Sequence, residues 1–171
     1  DFWGPLTAPA ADKQADIANY KRLLTDAEFA RANPSRGRGL FERTCSACHM
    51  LYGAGGNLGP DLTGSNRANL DYILSQIVNP SEVMSEAYQL VTVTTRDGRT
   101  LSGNAAAEDA QQLTLRLVGQ DTIIAKADIL SREKSPISLM PEGLLKALSN
   151  DEVRDLLAYL RTTSQVPLPQ P

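Results

Sequence analysis

The residues Cys45-Ser46-Ala47-Cys48-His49 hold the whole stock of cysteine and histidine in this chain, which has two Cys and one His in 171 residues. Two thiols spaced by two residues, with an imidazole directly after the second, form the attachment pattern of a c-type haem. The thiols add to the vinyl groups of one porphyrin, and the histidine supplies an axial ligand to its iron. The close spacing lets all three groups reach one flat macrocycle. Three other chemistries use part of this set. A redox dithiol of the thioredoxin kind sits at a strand-to-helix junction and needs no adjacent histidine, whereas this motif follows a helical pattern. A structural zinc site takes four ligands, usually as two pairs, and the chain has no second pair. A local disulfide leaves the lone histidine without a task. One haem c bound through Cys45 and Cys48, with His49 on the iron, uses every residue of the set.

Several elements must position that motif. Asn33-Pro34 is a helix start, with Asn33 as N-cap and Pro34 in the first turn. The helix it opens is read as carrying Gly37, Leu40, Phe41, Thr44, Cys45 and Cys48. Gly37 and Phe41 share a face that admits another helix at close range. Tyr52 to Gly59 is glycine-rich, but no Gly-Lys-Ser/Thr follows, so phosphate binding is not indicated. Beside a haem its task is more definite. The Nδ1–H of an iron-bound histidine needs an acceptor to fix the ring, and a carbonyl of Gly59-Pro60 folding back would serve, with Pro60 counted among the cofactor-binding residues. Asn69 to Val78 has helical spacing and stops at Asn79-Pro80.

The period then changes. Tyr88–Thr95 and Thr100–Ala107 alternate around Asp97-Gly98. Leu113, Leu115 and Leu117 alternate next, and Thr122–Lys126 returns, giving an antiparallel meander of about four strands. Residues 128–138 read as irregular and polar. Ser149 with Glu152 forms a capping box ahead of Val153, Leu156, Leu157 and Leu160. Before the first cap, Lys13–Ala32 suggests one or two short helices outside the main core. Residues 1–12, with Trp3, read as an arm.

Composition narrows the class. Seventeen basic and twenty acidic residues give a net charge of −3, which does not favour nucleic acid. No run reaches the ~18 apolar residues of a membrane span. Asp1 opens no signal-peptide pattern, and haem is attached to cysteines outside the cytoplasmic membrane. The expectation is a mature or excised piece of a periplasmic or otherwise exported protein.

Gly37-x-x-x-Phe41, the Cys45–His49 motif, Gly59-Pro60-Asp61-Leu62, Met140-Pro141 and the helix ending Leu156–Leu160 together resemble a class I cytochrome c. The run from Asn79-Pro80-Ser81 through Tyr88, Asp97-Gly98-Arg99, Leu101-Ser102-Gly103 and Asp128-Ile129 to Met140-Pro141-Glu142-Gly143-Leu144 resembles, more narrowly, the haem-binding domain of Pirellula/Verrucomicrobium type. Such domains are commonly attached to sugar-dehydrogenase-like propellers in large exported proteins. The resemblance implies a mainly α fold. Its class I helical core would be interrupted by a small β meander at about residues 86–127, or to about 131 with its exit. An N-terminal helical extension would fill residues 1–32, the cytochrome domain 33–163 and a tail 164–171. It implies that Gly37 and Phe41 meet Leu156, Tyr159 and Leu160 where first and last helices cross.

It also implies a second iron ligand from a methionine before the last helix, which is Met140, so the metal ligands would be His49 and Met140. Met50 follows His49 directly and falls on the wrong side of the haem. Met84 reads better as a core thioether, and both it and an exchangeable sixth position stay open. Arg67, Arg132 and Lys134 are candidate donors to the haem carboxylates. With His/Met ligation the expected activity is single-electron transfer rather than enzymatic turnover. The chain would accept electrons from an exported dehydrogenase or shuttle them to another cytochrome. No second histidine exists to act as a peroxidase's distal acid/base. The alternatives are a gas-binding sensor with a labile sixth ligand, and a β meander that docks a partner.

Overall fold

The computed structural model describes residues 10–170; Trp3 and the first part of the arm lie outside the described residues. The backbone gathers into two compact units. One takes the chain up to Cys45, with Gly64–Pro80 and the stretch from Pro141 onward; the other is Ser46–Thr63 with Ser81–Met140.

The first unit is helical: α1 Ala10–Leu23, α2 Asp26–Phe29, α3 Pro34–Thr44, α4 Leu70–Val78 and α5 Asn150–Leu160. Local chemistry starts the three main helices. Asn33 Oδ1 accepts from Arg36 N at 3.1 Å, and Asn69 Oδ1 accepts from Tyr72 N at 3.1 Å. At α5, Ser149 N donates to Glu152 Oε2 at 2.8 Å while Glu152 N donates to Ser149 Oγ at 3.3 Å, closing the expected capping box. The chain at α1 buries only Lys13 along its length. The Lys13 Nζ donates to Asn79 Oδ1 at 2.9 Å and to Glu142 Oε1 at 2.6 Å, so an ion pair rather than an apolar stripe ties this helix down.

Helices α3 and α5 cross at Gly37. A methyl group there would overlap the carbonyl oxygen of Asp155 and stand 2.8 Å from Cβ of Tyr159. One turn on, the Phe41 and Tyr159 rings meet edge-on, with centroids 5.6 Å apart and planes at 62°. Asp155 is buried, and its carboxylate accepts from Asn33 N at 2.8 Å and pairs with Arg36 at 2.9 Å. Leu40, Phe41, Val153, Leu156, Leu157, Tyr159 and Leu160 fill the unit's interior.

The second unit is a β structure. A two-stranded hairpin, β1 Met50–Leu51 with β2 Ala54–Gly55, precedes a five-stranded antiparallel sheet. Its strands are β3 Gln89–Thr95, β4 Thr100–Glu108, β5 Gln112–Leu117, β6 Gln120–Ala125 and β7 Ile129–Ser138, in the order β6-β5-β4-β3-β7. Alternation puts Val91, Val93, Leu113, Leu115 and Ile124 on one face, where they form a core of their own.

This architecture corrects the expected fold class. Among the described residues helix takes 37% and strand 26%, with a five-stranded antiparallel sheet, so this is not a mainly α class I cytochrome core with a small insertion. The segment read as irregular, 128–138, contains the fifth strand. Its residues are half-buried at every third position rather than every second. The ladder to β3 shifts register between Gln89 and Val91 and again between Thr94 and Thr95. An edge strand broken by such irregularities carries no two-residue hydrophobic period, and Pro136 is tolerated within it because an edge leaves amides unpaired. Helix α3 also ends earlier than read, at Thr44 with Cys45 as its cap. The carbonyls of Ser46 and Cys48 accept from Gly56 N and Gly59 N instead.

Two glycines of α3 separate packing from propensity. Gly37→Ala forces α3 and α5 apart and is expected to cost about 1–3 kcal/mol or more. Gly39→Ala adds a methyl 3.5 Å from Pro169, an ordinary contact, and is expected to gain about 0.5–1 kcal/mol from helix propensity. Urea unfolding of the two variants checks the opposite signs.

Candidate functional site

Cys45 closes α3, and Ser46 begins a loop that turns back on itself. Tyr52 and Gly53 both adopt left-handed backbone, with φ of 53° and 78°, making the primed turn that a two-residue hairpin requires. The return limb then lies along the motif. Gly56 N donates to Ser46 O at 2.7 Å, Gly59 N to Cys48 O at 2.8 Å and Leu62 N to Met50 O at 2.8 Å. Tyr52 N reaches Thr63 Oγ1 at 2.9 Å. A loop of this length is thus tied to the motif by backbone bonds along its whole return.

The return limb ends on His49. Its Nδ1 lies 2.9 Å from Pro60 O. A carbonyl can only accept, so the proton sits on Nδ1 and the lone pair on Nε2. Nε2 has no protein partner among the described residues. Gly59 lies against the ring: a methyl there would fall 2.5 Å from Cε1, 2.8 Å from Nδ1 and 3.0 Å from Nε2. Gly56 approaches as closely on the other side of the motif, where a methyl would overlap the Ala47 carbonyl oxygen. The glycine cluster therefore lets backbone pack onto the Cys-x-x-Cys-His segment.

The two cysteines are thiols, not a disulfide. Burial pushes the Cys48 thiol up from its ordinary value, the opposite of the depressed thiol that a dithiol exchange centre needs. Among the described residues no group of three or more His, Cys, Asp or Glu side chains could hold a metal ion. The donor set is two thiols and one imidazole with its Nδ1 tied and its Nε2 open. That set fits a covalently attached haem and fits no closed zinc site.

The other site residues expected from sequence are placed as follows. Arg67 donates Nη1 to the carbonyl of Leu160 and, at 2.9 Å, to that of Thr162, which satisfies the end of α5 with a cation. Arg132 donates to Glu108 Oε2 at 2.9 Å. Hydrogen bonds from Lys126 first and Arg132 second bring that carboxyl down to about 2. Lys134 is exposed on β7. Met140 is half-buried and donates its amide to Ser138 Oγ at 3.1 Å; Met84 is half-buried also, so burial does not choose between them.

Sequence reading did not find two contributors to the loop: the β1–β2 hairpin and the buried pair Leu58 and Asn104. The hairpin lacks the usual Asn-Gly signal, having Tyr52-Gly53 instead. Asn104 has a signal only in retrospect, as an amide inside a strand that otherwise alternates.

The family model described as Cytochrome c matches residues 34–164. That range covers more than half of the chain and runs from the start of α3 past the end of α5, so the chain belongs to the cytochrome c family. Members carry covalently bound haem c and generally serve as electron-transfer modules that pass electrons to redox partners, typically outside the cytoplasm. No curated protein gives a significant match. Among the described residues no helix is long and apolar enough to cross a membrane.

Gly59→Ala should push the return limb off the imidazole and break the Nδ1–H···O bond, destabilising the protein by about 1–3 kcal/mol. Gly64→Ala, where nothing lies within 4 Å of the added methyl, should leave stability unchanged. Thermal unfolding, with the His49 ring followed by NMR, checks both.

Proposed function

We propose that this chain is a one-haem c-type cytochrome domain that transfers single electrons, with thioethers at Cys45 and Cys48 and axial ligands His49 and Met140. The observation that carries this reading is the fixed His49 ring, with Nδ1–H on the Pro60 carbonyl and Gly59 packed against its face. Haem c supplies a one-electron iron(III)/iron(II) couple. The residues supply constancy. An imidazole that cannot turn or change tautomer presents the same nitrogen in both redox states, so little has to reorganise on transfer.

Met140 is taken as the sixth ligand from its place before Pro141 and the last helix, as the resemblance to the family implies. Thioether ligation raises the potential and favours electron transfer over oxygen chemistry. The single histidine is used as ligand, which leaves no imidazole for peroxidase-type proton transfer. The partner in this reading is an exported dehydrogenase or another cytochrome, in the periplasm or an equivalent compartment. The Pirellula/Verrucomicrobium-type likeness supports attachment to a larger dehydrogenase.

Optical spectra of the holo-protein, oxidised and reduced, with and without carbon monoxide, test this. The expected result is a low-spin iron with the weak sulfur-to-iron(III) charge-transfer band, unmoved by carbon monoxide. Met140→Ala should abolish that band and Met84→Ala should keep it; the reverse would make Met84 the ligand. A high-spin spectrum, or rapid carbon monoxide binding by the unaltered protein, would replace the electron carrier with a gas-binding sensor.

A further inference from the structure

Asn104 is out of place by the ordinary rules of a sheet. It lies on β4, opposite Arg116 of β5, and is only 4% exposed. Asparagine is disfavoured in strands and rarely buried. Alternation puts Leu101 and Ala105 of β4 on the sheet's apolar core and Asn104 on the opposite face, with Thr92 and Ser102. Its Nδ2 donates to the carbonyl of Leu58, across forty-six residues of chain. Its Oδ1 is buried and has no hydrogen-bond partner among the described residues. A half-satisfied buried amide carries an uncompensated desolvation penalty on the unsatisfied side, so stability does not account for its presence. Local rules of this kind are broken chiefly at functional positions.

The carbonyl it holds shows what the amide is for. Leu58 is itself buried, at 6% exposure, and directly precedes Gly59 and Pro60. Gly59 covers the face of the His49 ring, and Pro60 O accepts its Nδ1–H. Asn104 therefore fixes the peptide from which the two ring contacts follow. The Leu58 carbonyl can only accept, so the amide orientation is set: Nδ2 faces the loop and Oδ1 faces away.

We propose that Asn104 is a positioning residue for the axial histidine, through which the five-stranded sheet sets the strength of the His49 Nδ1–H···O bond and so the reduction potential of the iron. The inference rests on His49 being an iron ligand. A firm Nδ1–H···O bond makes the imidazole a stronger donor and favours iron(III). Releasing the Leu58 carbonyl loosens that bond and weakens the donor, so the potential rises. The sheet thereby acquires a task at the redox centre.

The test uses the holo-protein and compares Asn104→Leu, close in size but without a donor, with Val91→Ala. The latter lowers the stability of the same sheet while leaving the loop untouched. Two properties are read: the reduction potential, and the exchange of the His49 Nδ1 proton with water by NMR. Asn104→Leu is expected to raise the potential and speed exchange by about tenfold, the factor that losing one ordinary hydrogen bond allows. Val91→Ala should alter neither beyond its effect on unfolding. Should Asn104→Leu fail to fold, Asn104→Ala removes the same donor with less crowding and is expected to move both readings in the same direction. Unchanged potential and exchange in a folded, destabilised Asn104 variant would overturn the proposal and leave the residue merely structural. If the unaltered protein has no iron bound to His49, both this inference and the electron-transfer reading fail, and the wild-type spectrum alone distinguishes that case.

Discussion

One hydrogen bond sets the terms for the loop that follows the motif: His49 Nδ1–H to the carbonyl of Pro60. For a backbone carbonyl to reach Nδ1 eleven residues later, the chain must reverse and run back along the motif at contact distance. That demand explains the left-handed turn at Tyr52-Gly53 and the ladder of amides onto Ser46, Cys48 and Met50. It also explains why the residue touching the ring has no side chain. Pro60 suits the accepting position because it carries no amide of its own to compete. With Nδ1 committed, the ring has one tautomer and one open nitrogen. A histidine in that condition presents a single lone pair in a fixed direction.

A second constraint governs the helical unit by itself. Helices α3 and α5 meet where a single Cβ on Gly37 would collide with backbone. This close approach brings Phe41 onto Tyr159 and lets the Asp155 carboxylate take up the first turn of α3 through Asn33 and Arg36. The buried carboxylate costs desolvation, which Asn33 N, Arg36 and Arg154 offset. What fixes the crossing is steric fit. The helix that Cys45 caps therefore begins and is centred on contacts with α5.

How far sequence could foretell this depends on the range of the cause. The caps at Asn33 and Ser149 are local chemistry over three residues and stand where they were read, while Asn69, read as the first residue of its helix, is that helix's cap. The Pro60 acceptor was legible because an iron-bound histidine needs one and the glycines limit where it can come from. The Gly37–Phe41 face was legible as a close-packing surface, while its partner came from family likeness. Strand β7 was not legible, because an edge strand with shifted register shows no alternation. With it went the balance of helix and sheet, and hence the fold class. Asn104 was hidden for another reason. A buried side-chain bond to a carbonyl forty-six residues away leaves no mark in spacing, only an oddity of residue type.

The most direct measurement is the intact mass of the protein, matured where haem attachment operates and then fully denatured. One haem retained per chain through unfolding, and lost when Cys45 and Cys48 are both changed to alanine, is the predicted result. A mass equal to the bare polypeptide, with both thiols open to alkylation, would contradict the assignment of the Cys45–His49 segment and everything built on the held imidazole.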